Sequence, residues 1–119
     1  MSFTVKGVHH FGITVRDMKR SFEWYTKMFG LQPGPVNHGQ GKELSDAVQV
    51  EGTELSFSMI DIGGTRIEFL EYHNPRGKDF DLKNGDVGAT HICLQIDDMD
   101  VAYVTLLERG AVFNAPPVT

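Results

Sequence analysis

Three residues are candidate donors for a metal site: His10, Glu68 and His91. Each histidine opens one copy of a duplicated segment, since residues 10–18 read HFGITVRDM and 81 positions later residues 91–99 read HICLQIDDM. Neutral imidazole nitrogen and carboxylate oxygen together suit a divalent first-row ion and leave coordination positions open for water or substrate. A lone histidine on a strand is ordinarily a hydrogen-bonded structural group, and a strand glutamate beside an arginine is ordinarily a solvated ion pair. The same residue in the same phase of two equivalent strands sets this pair apart.

The elements that must position these donors follow from periodicity. Phe11, Ile13 and Val15 alternate with His10, Gly12 and Thr14, and Ile92, Leu94 and Ile96 alternate with His91, Cys93 and Gln95. Both runs have the period of a strand that turns its histidine away from its apolar face. Asp17 and Asp98 then sit at N-cap positions ahead of apolar residues at helical spacing, with Gly30 and Gly110 closing the two helices. The segment 32–42 reads as loop with a short edge strand through Val36, and residues 43–50 are ambiguous. Leu55, Phe57 and Met59 alternate with Ser56 and Ser58, Gly63-Gly64 supplies a hairpin turn, and residues 65–72 return as a strand. With Ile67 and Phe69 on the helix side, Arg66, Glu68, Leu70 and Tyr72 face the other way. The expected fold is α+β, with paired β-α-β-β-β units forming a curled mixed sheet around a concave site. Unit one covers about residues 5–75, unit two about residues 88–119, and residues 74–88 link them in one domain spanning 1–119. His10 and His91 are expected on adjacent or facing strands.

Other reactive residues are weaker candidates. His9 falls on the opposite strand face from His10, His38 lies in a glycine-rich loop, and His73 follows its strand and caps or solvates its end. Arg66 flanks Glu68 and is a candidate for holding an anionic substrate group. Glu43, Glu51 and Glu54 lie too loosely placed to select a catalytic acid. Cys93, the only cysteine, reads as small filler in a strand and excludes an internal disulfide. Trp24 reads as helix packing or a subunit contact.

Composition narrows the setting. A net charge of -5 with no basic cluster argues against nucleic acid or an anionic membrane, because phosphate recognition depends on Lys and Arg. No apolar run reaches membrane-spanning length and the N-terminus has no signal-peptide core, so a cytoplasmic location is expected. Open sheet edges and exposed helix aromatics such as Trp24 point to a homodimer.

The segment VHHFGITVRDMKRSFEWYTKMFGL, followed by RIEFLEYHNPRG and GATHICLQIDDMD, resembles the vicinal oxygen chelate superfamily, which includes glyoxalase I, methylmalonyl-CoA epimerase, extradiol dioxygenases and the fosfomycin and bleomycin resistance proteins. The resemblance covers nearly the whole chain and puts His10, Glu68 and His91 on metal-ligand positions. It implies one divalent ion per site, Zn, Ni, Co, Mn or Fe. A glutamate at the end of the first unit, as in glyoxalase I, favours proton transfer over oxygen chemistry. The implied activity is a metal-dependent lyase or isomerase acting on a small carbonyl substrate through an enediolate. Two alternatives stand beside it, an extradiol-type ring-cleaving dioxygenase and a metal-free binding protein of the bleomycin-resistance type. The repeat offset places the partner of Glu68 near position 149, so the second unit stops short of its final strands and the record is expected to continue past Thr119. The resemblance places a fourth ligand, a glutamate that also moves the proton, in that continuation.

Overall fold

The computed structural model describes residues 1–118. The chain divides into two compact units, the first Met1–Lys78 and the second beginning at Asp79. In chain order the elements are β1 (Phe11–Thr14), α1 (Met18–Phe29), β2 (Asn37–Gln40), α2 (Lys42–Val48), β3 (Glu54–Ile62), β4 (Thr65–Asn74) and α3 (Met99–Glu108).

In the first unit the four strands form one mixed sheet in the order β1-β4-β3-β2. Strand β1 runs parallel to β4, which its crossover through α1 permits, whereas β3 pairs antiparallel with both β4 and β2. Gly63 and Gly64, at φ 58° and 91°, make the β3–β4 turn, and two successive positive φ values are what a two-residue hairpin of the type I′ class requires. Helix α1 begins at Asp17, whose carboxylate accepts the Arg20 N–H at 3.0 Å, and ends at Gly30, at φ 69°, whose N–H reaches the Thr26 carbonyl at 2.9 Å. It buries Met18 and Phe22 against Ile60, Ile67 and Phe69, with Ile13, Val15 and Tyr25 around them. Phe69 meets both Phe22 and Tyr25 edge to face, at centroid distances of 5.2 and 5.3 Å.

Period two divides the sheet into unlike faces. Ser56, Ser58, Ile60, Ile67, Phe69 and Glu71 share the α1 side, since Ser58 registers with Phe69 and Ser56 with Glu71. The serines are therefore the covered residues of β3: Ser58 is buried and donates to the Gly34 carbonyl at 2.9 Å, and Ser56 is buried as well. Opposite them, Met59, Glu68 and Gly12 form one row across β3, β4 and β1, and Phe57, Leu70 and Thr14 form the next.

Within the second unit, Asp98 caps α3 by accepting the Val101 N–H at 3.0 Å. Its backbone, φ −139° and ψ 107°, matches that of Asp17, φ −144° and ψ 101°, so the duplicated sequence repeats its cap geometry. Tyr103 packs edge to face on Phe113 with centroids 4.8 Å apart.

Several expectations require correction. The sheet is not strongly curled, and among the described residues it holds four strands, all from the first unit. Residues 89–97 and 111–113 are not strands. A strand is held by a ladder partner and a covered face, and here Ile92 and Ile96 stay exposed. Cys93 is an exposed free thiol outside any strand, not strand filler. The ambiguous segment forms α2, and the edge strand runs through residues 37–40, with Pro33 adding an isolated bridge to Ile60.

Candidate functional site

The face of the sheet turned away from α1 brings two of the three expected donors together. His10 immediately precedes β1, and its Nε2 lies 3.6 Å from Oε1 of Glu68 on β4. The parallel register explains the meeting. Gly12 pairs with Glu68, so His10, two residues earlier on the same face, leans over the glutamate across a strand neighbour that has no side chain. The glutamate is mostly sheltered, at 17% side-chain exposure, and the histidine is more open at 35%. Met59, the cross-strand partner of Glu68, and Leu70 are half-buried and give the carboxylate a partly apolar surround.

Two donors of one ion, each about 2.0–2.2 Å from it, stand roughly 3 to 3.6 Å apart at tetrahedral or octahedral angles. The 3.6 Å between His10 and Glu68 suits such a pair, one nitrogen and one oxygen. Among the described residues no group of three His, Cys, Asp or Glu side chains is gathered to hold a metal. His91 belongs to the second unit, where it is exposed and outside any strand.

The neighbouring histidine is tied to the pair in a way the alternation of faces did not suggest. Nδ1 of His9 lies 2.7 Å from Nδ1 of His10, with the rings edge to face. One ring must donate and the other accept. In the tautomer in which His10 donates from Nδ1 and His9 accepts, the Nε2 lone pair of His10 is open on Glu68's side and His9 is the partner that orients the ring.

Arg66 is exposed and registers with Asp61, two residues from Glu68 on the same face. The expectations for His38 and His73 are corrected. His38 lies in β2 and His73 in β4, and both are bonded to Ser56 on the α1 side of the sheet, at 2.8 and 2.7 Å. Glycine and proline around His38 and the polar end of TRIEFLEYHN read as loop, and only pairing with β3 makes these residues strand. The alternation of Ser56 and Ser58 with large apolar residues was the available signal, once the serine side is recognised as the covered one.

Residues 7–119 match the Glyoxalase/Bleomycin resistance protein/Dioxygenase superfamily, and the chain belongs to it. It is 26% identical over 107 residues to human mitochondrial methylmalonyl-CoA epimerase, covering 86% of this chain and 53% of that protein. It is 27% identical over 99 residues to 2-epi-5-epi-valiolone epimerase from an Actinomyces species, covering 80% of this chain and 54% of that protein. The chain thus spans about half the length of the curated relatives it matches. Among solved structures, a glyoxalase family protein from Bacillus cereus superposes with a TM-score of 0.71 at 16% identity, over 91% of this chain and 74% of that one. A glyoxylase/bleomycin resistance protein/dioxygenase domain from a Frankia species gives 0.59 at 26% identity, over 95% and 75%. Among the described residues no helix is long and apolar enough to cross a membrane.

Proposed function

We propose that this chain is part of a metal-dependent lyase or isomerase of the glyoxalase and epimerase type, acting on a small carbonyl substrate. The observation that carries the reading is the 3.6 Å approach of His10 Nε2 to Glu68 Oε1 on the sheet face opposite α1. His10 and Glu68 are the nitrogen and oxygen donors of the proposed site, and His91, first residue of the duplicated segment, is the residue proposed as third donor. A divalent ion bound there would polarise a substrate carbonyl and so ease loss of the proton beside it. Glu68 contributes its negative charge from a partly apolar surround, which strengthens its hold on a cation. His9 keeps the His10 ring turned toward the glutamate. Arg66 is the cation placed to hold an anionic group of the substrate. The relatives' names favour epimerisation within this class, and the open sheet edges favour a homodimer as the assembly.

The test is metal analysis of the full-length protein purified without added metal, together with solvent deuterium incorporation at the α-carbon of methylmalonyl-CoA. Bound divalent metal lost on His10→Ala or Glu68→Ala, with deuterium uptake lost in parallel, is the expected result. Equal bound metal in wild type and the variants would overturn the site, and a wild type that carries no metal would leave a metal-free binding protein.

A further inference from the structure

The sheet face covered by α1 carries a second reactive arrangement, in the same unit but on the opposite side from Glu68. Ser56 Oγ lies 2.7 Å from Nε2 of His73, and Nδ1 of His73 lies 3.0 Å from Oε2 of Glu71. Nδ1 of His38 is 2.8 Å from the same serine oxygen. The other carboxylate oxygen of Glu71, Oε1, accepts the backbone N–H of Met18 at 2.8 Å, which anchors the carboxylate at the first turn of α1. One assignment of hydrogens is consistent with all of these contacts. Ser56 donates to His73 Nε2, His73 Nδ1–H points to Glu71, and His38 Nδ1–H donates to Ser56. Oγ then keeps one lone pair for attack.

The order of groups is hydroxyl, imidazole, carboxylate, with each imidazole nitrogen facing the partner that nucleophilic catalysis needs. Cross-strand register holds it: Ser56 of β3 pairs with Glu71 of β4 on one side and with His38 of β2 on the other. Ser56 and Glu71 line a groove of about 720 Å³ whose other walls include Met18, Phe22, Pro33 and Val36. Lys19, Glu23, Lys27 and Gln32 also line this groove, and the apolar walls beside the Ser56 hydroxyl give room for the acyl chain of an ester.

We propose that Ser56, His73 and Glu71 form a second, metal-independent reactive centre in which Ser56 takes the acyl group of an apolar carboxylic ester. Oγ bonds to the ester carbonyl carbon while its proton passes to His73 Nε2. Glu71 steadies the imidazolium that forms. The carbon–oxygen bond to the leaving alcohol breaks, and that oxygen takes the proton from His73. Water then attacks the acyl-serine with His73 again accepting a proton, releasing the carboxylic acid and restoring Ser56. The net reaction is ester plus water to acid plus alcohol.

The experiment treats the full chain with p-nitrophenyl butyrate, following p-nitrophenolate release and locating the butyryl group by peptide mass mapping. A burst of p-nitrophenolate with the butyryl group on Ser56 is expected, absent in Ser56→Ala and slowed about 100-fold or more in His73→Gln, as loss of a general base implies. Acylation is expected unchanged in His10→Ala and in the presence of a chelator, which separates this centre from the proposed metal face. No adduct in the wild-type chain, an adduct only on lysine or tyrosine, or equal acylation rates in wild type and a His73→Gln variant of unchanged circular dichroism would each overturn the proposal.

Discussion

Gly12 of β1 stands directly opposite Glu68 of β4 in the parallel ladder, so the carboxylate borders a neighbour with no side chain. A Cβ added at position 12 would lie 3.9 Å from Glu68 Oε1 and 3.6 Å from Leu70 Cδ1, ordinary contact distances. One carbon fits there. A branched side chain would fill the space beside the carboxylate.

Gly12→Ala is therefore expected to fold and to retain metal, while Gly12→Val is expected to fold with markedly weaker metal uptake. Metal titration of the two variants beside wild type checks this. Equal affinity in all three would show that the space beside Glu68 is not used.

The contact between the two adjacent histidines gives a graded expectation. In the proposed site His10→Ala would remove a donor outright, whereas His9→Ala would leave the donor and remove only the ring that contacts it. Loss of such an orienting partner typically weakens metal affinity about 10- to 100-fold. Competition titration with a chromogenic chelator should place His9→Ala between wild type and His10→Ala. A His9→Ala affinity equal to wild type would mean the 2.7 Å contact between the rings does not orient the ligand.

Phe69 is 2% exposed and receives ring edges from both Phe22 and Tyr25. Phe69→Ala should cost about 3–5 kcal/mol of stability, through lost burial plus the cavity left between α1 and the sheet. Denaturant unfolding measures it. A loss below about 1 kcal/mol would mean that α1 collapses into the space.

Burial pushes the Tyr25 hydroxyl above the ordinary phenol value near 10. The unfolded chain then ionises first as pH rises, so the contribution of this group is full below that range and is lost as pH climbs through the raised folded value. Stability against urea should fall at alkaline pH, and fall less steeply in Tyr25→Phe. Identical alkaline profiles would remove the effect.

Much of the first unit was readable from local chemistry. Asp17 before Met18, the helical spacing through Phe22 and Tyr25, and Gly63-Gly64 between alternating runs each encode a hydrogen-bond pattern over a few residues. The opposition of Glu68 to Ile67 and Phe69 followed from period two alone. Long-range pairing was less legible. Residues 91–96 alternate as well as residues 10–15 do, yet alternation supplies only one side of a ladder, and the second segment remains outside any strand. His38 read as a loop residue and His73 as a solvated strand end, because nothing local marks Ser56 as the group that joins them across three strands. The bond between His9 and His10 escaped for a related reason, since both precede the first ladder residue, Phe11, and strand alternation does not govern them there.

The position of His10 also bears on how occupancy could be observed without any signal from the ion. Its half of the site is held by a ladder of four residue pairs and by the Val15 N–H bonded to the Leu70 carbonyl at 2.8 Å. So short a ladder opens by local fluctuation far more readily than the long β3–β4 hairpin, and each opening carries His10 away from Glu68. An ion joining the two would act as a latch on the first strand, because anything that binds only the closed form suppresses opening in proportion to its occupancy. Slowed amide exchange at Ile13 and Val15 on metal addition, with the β3–β4 hairpin unchanged, would report that latch from backbone hydrogens that touch no ligand.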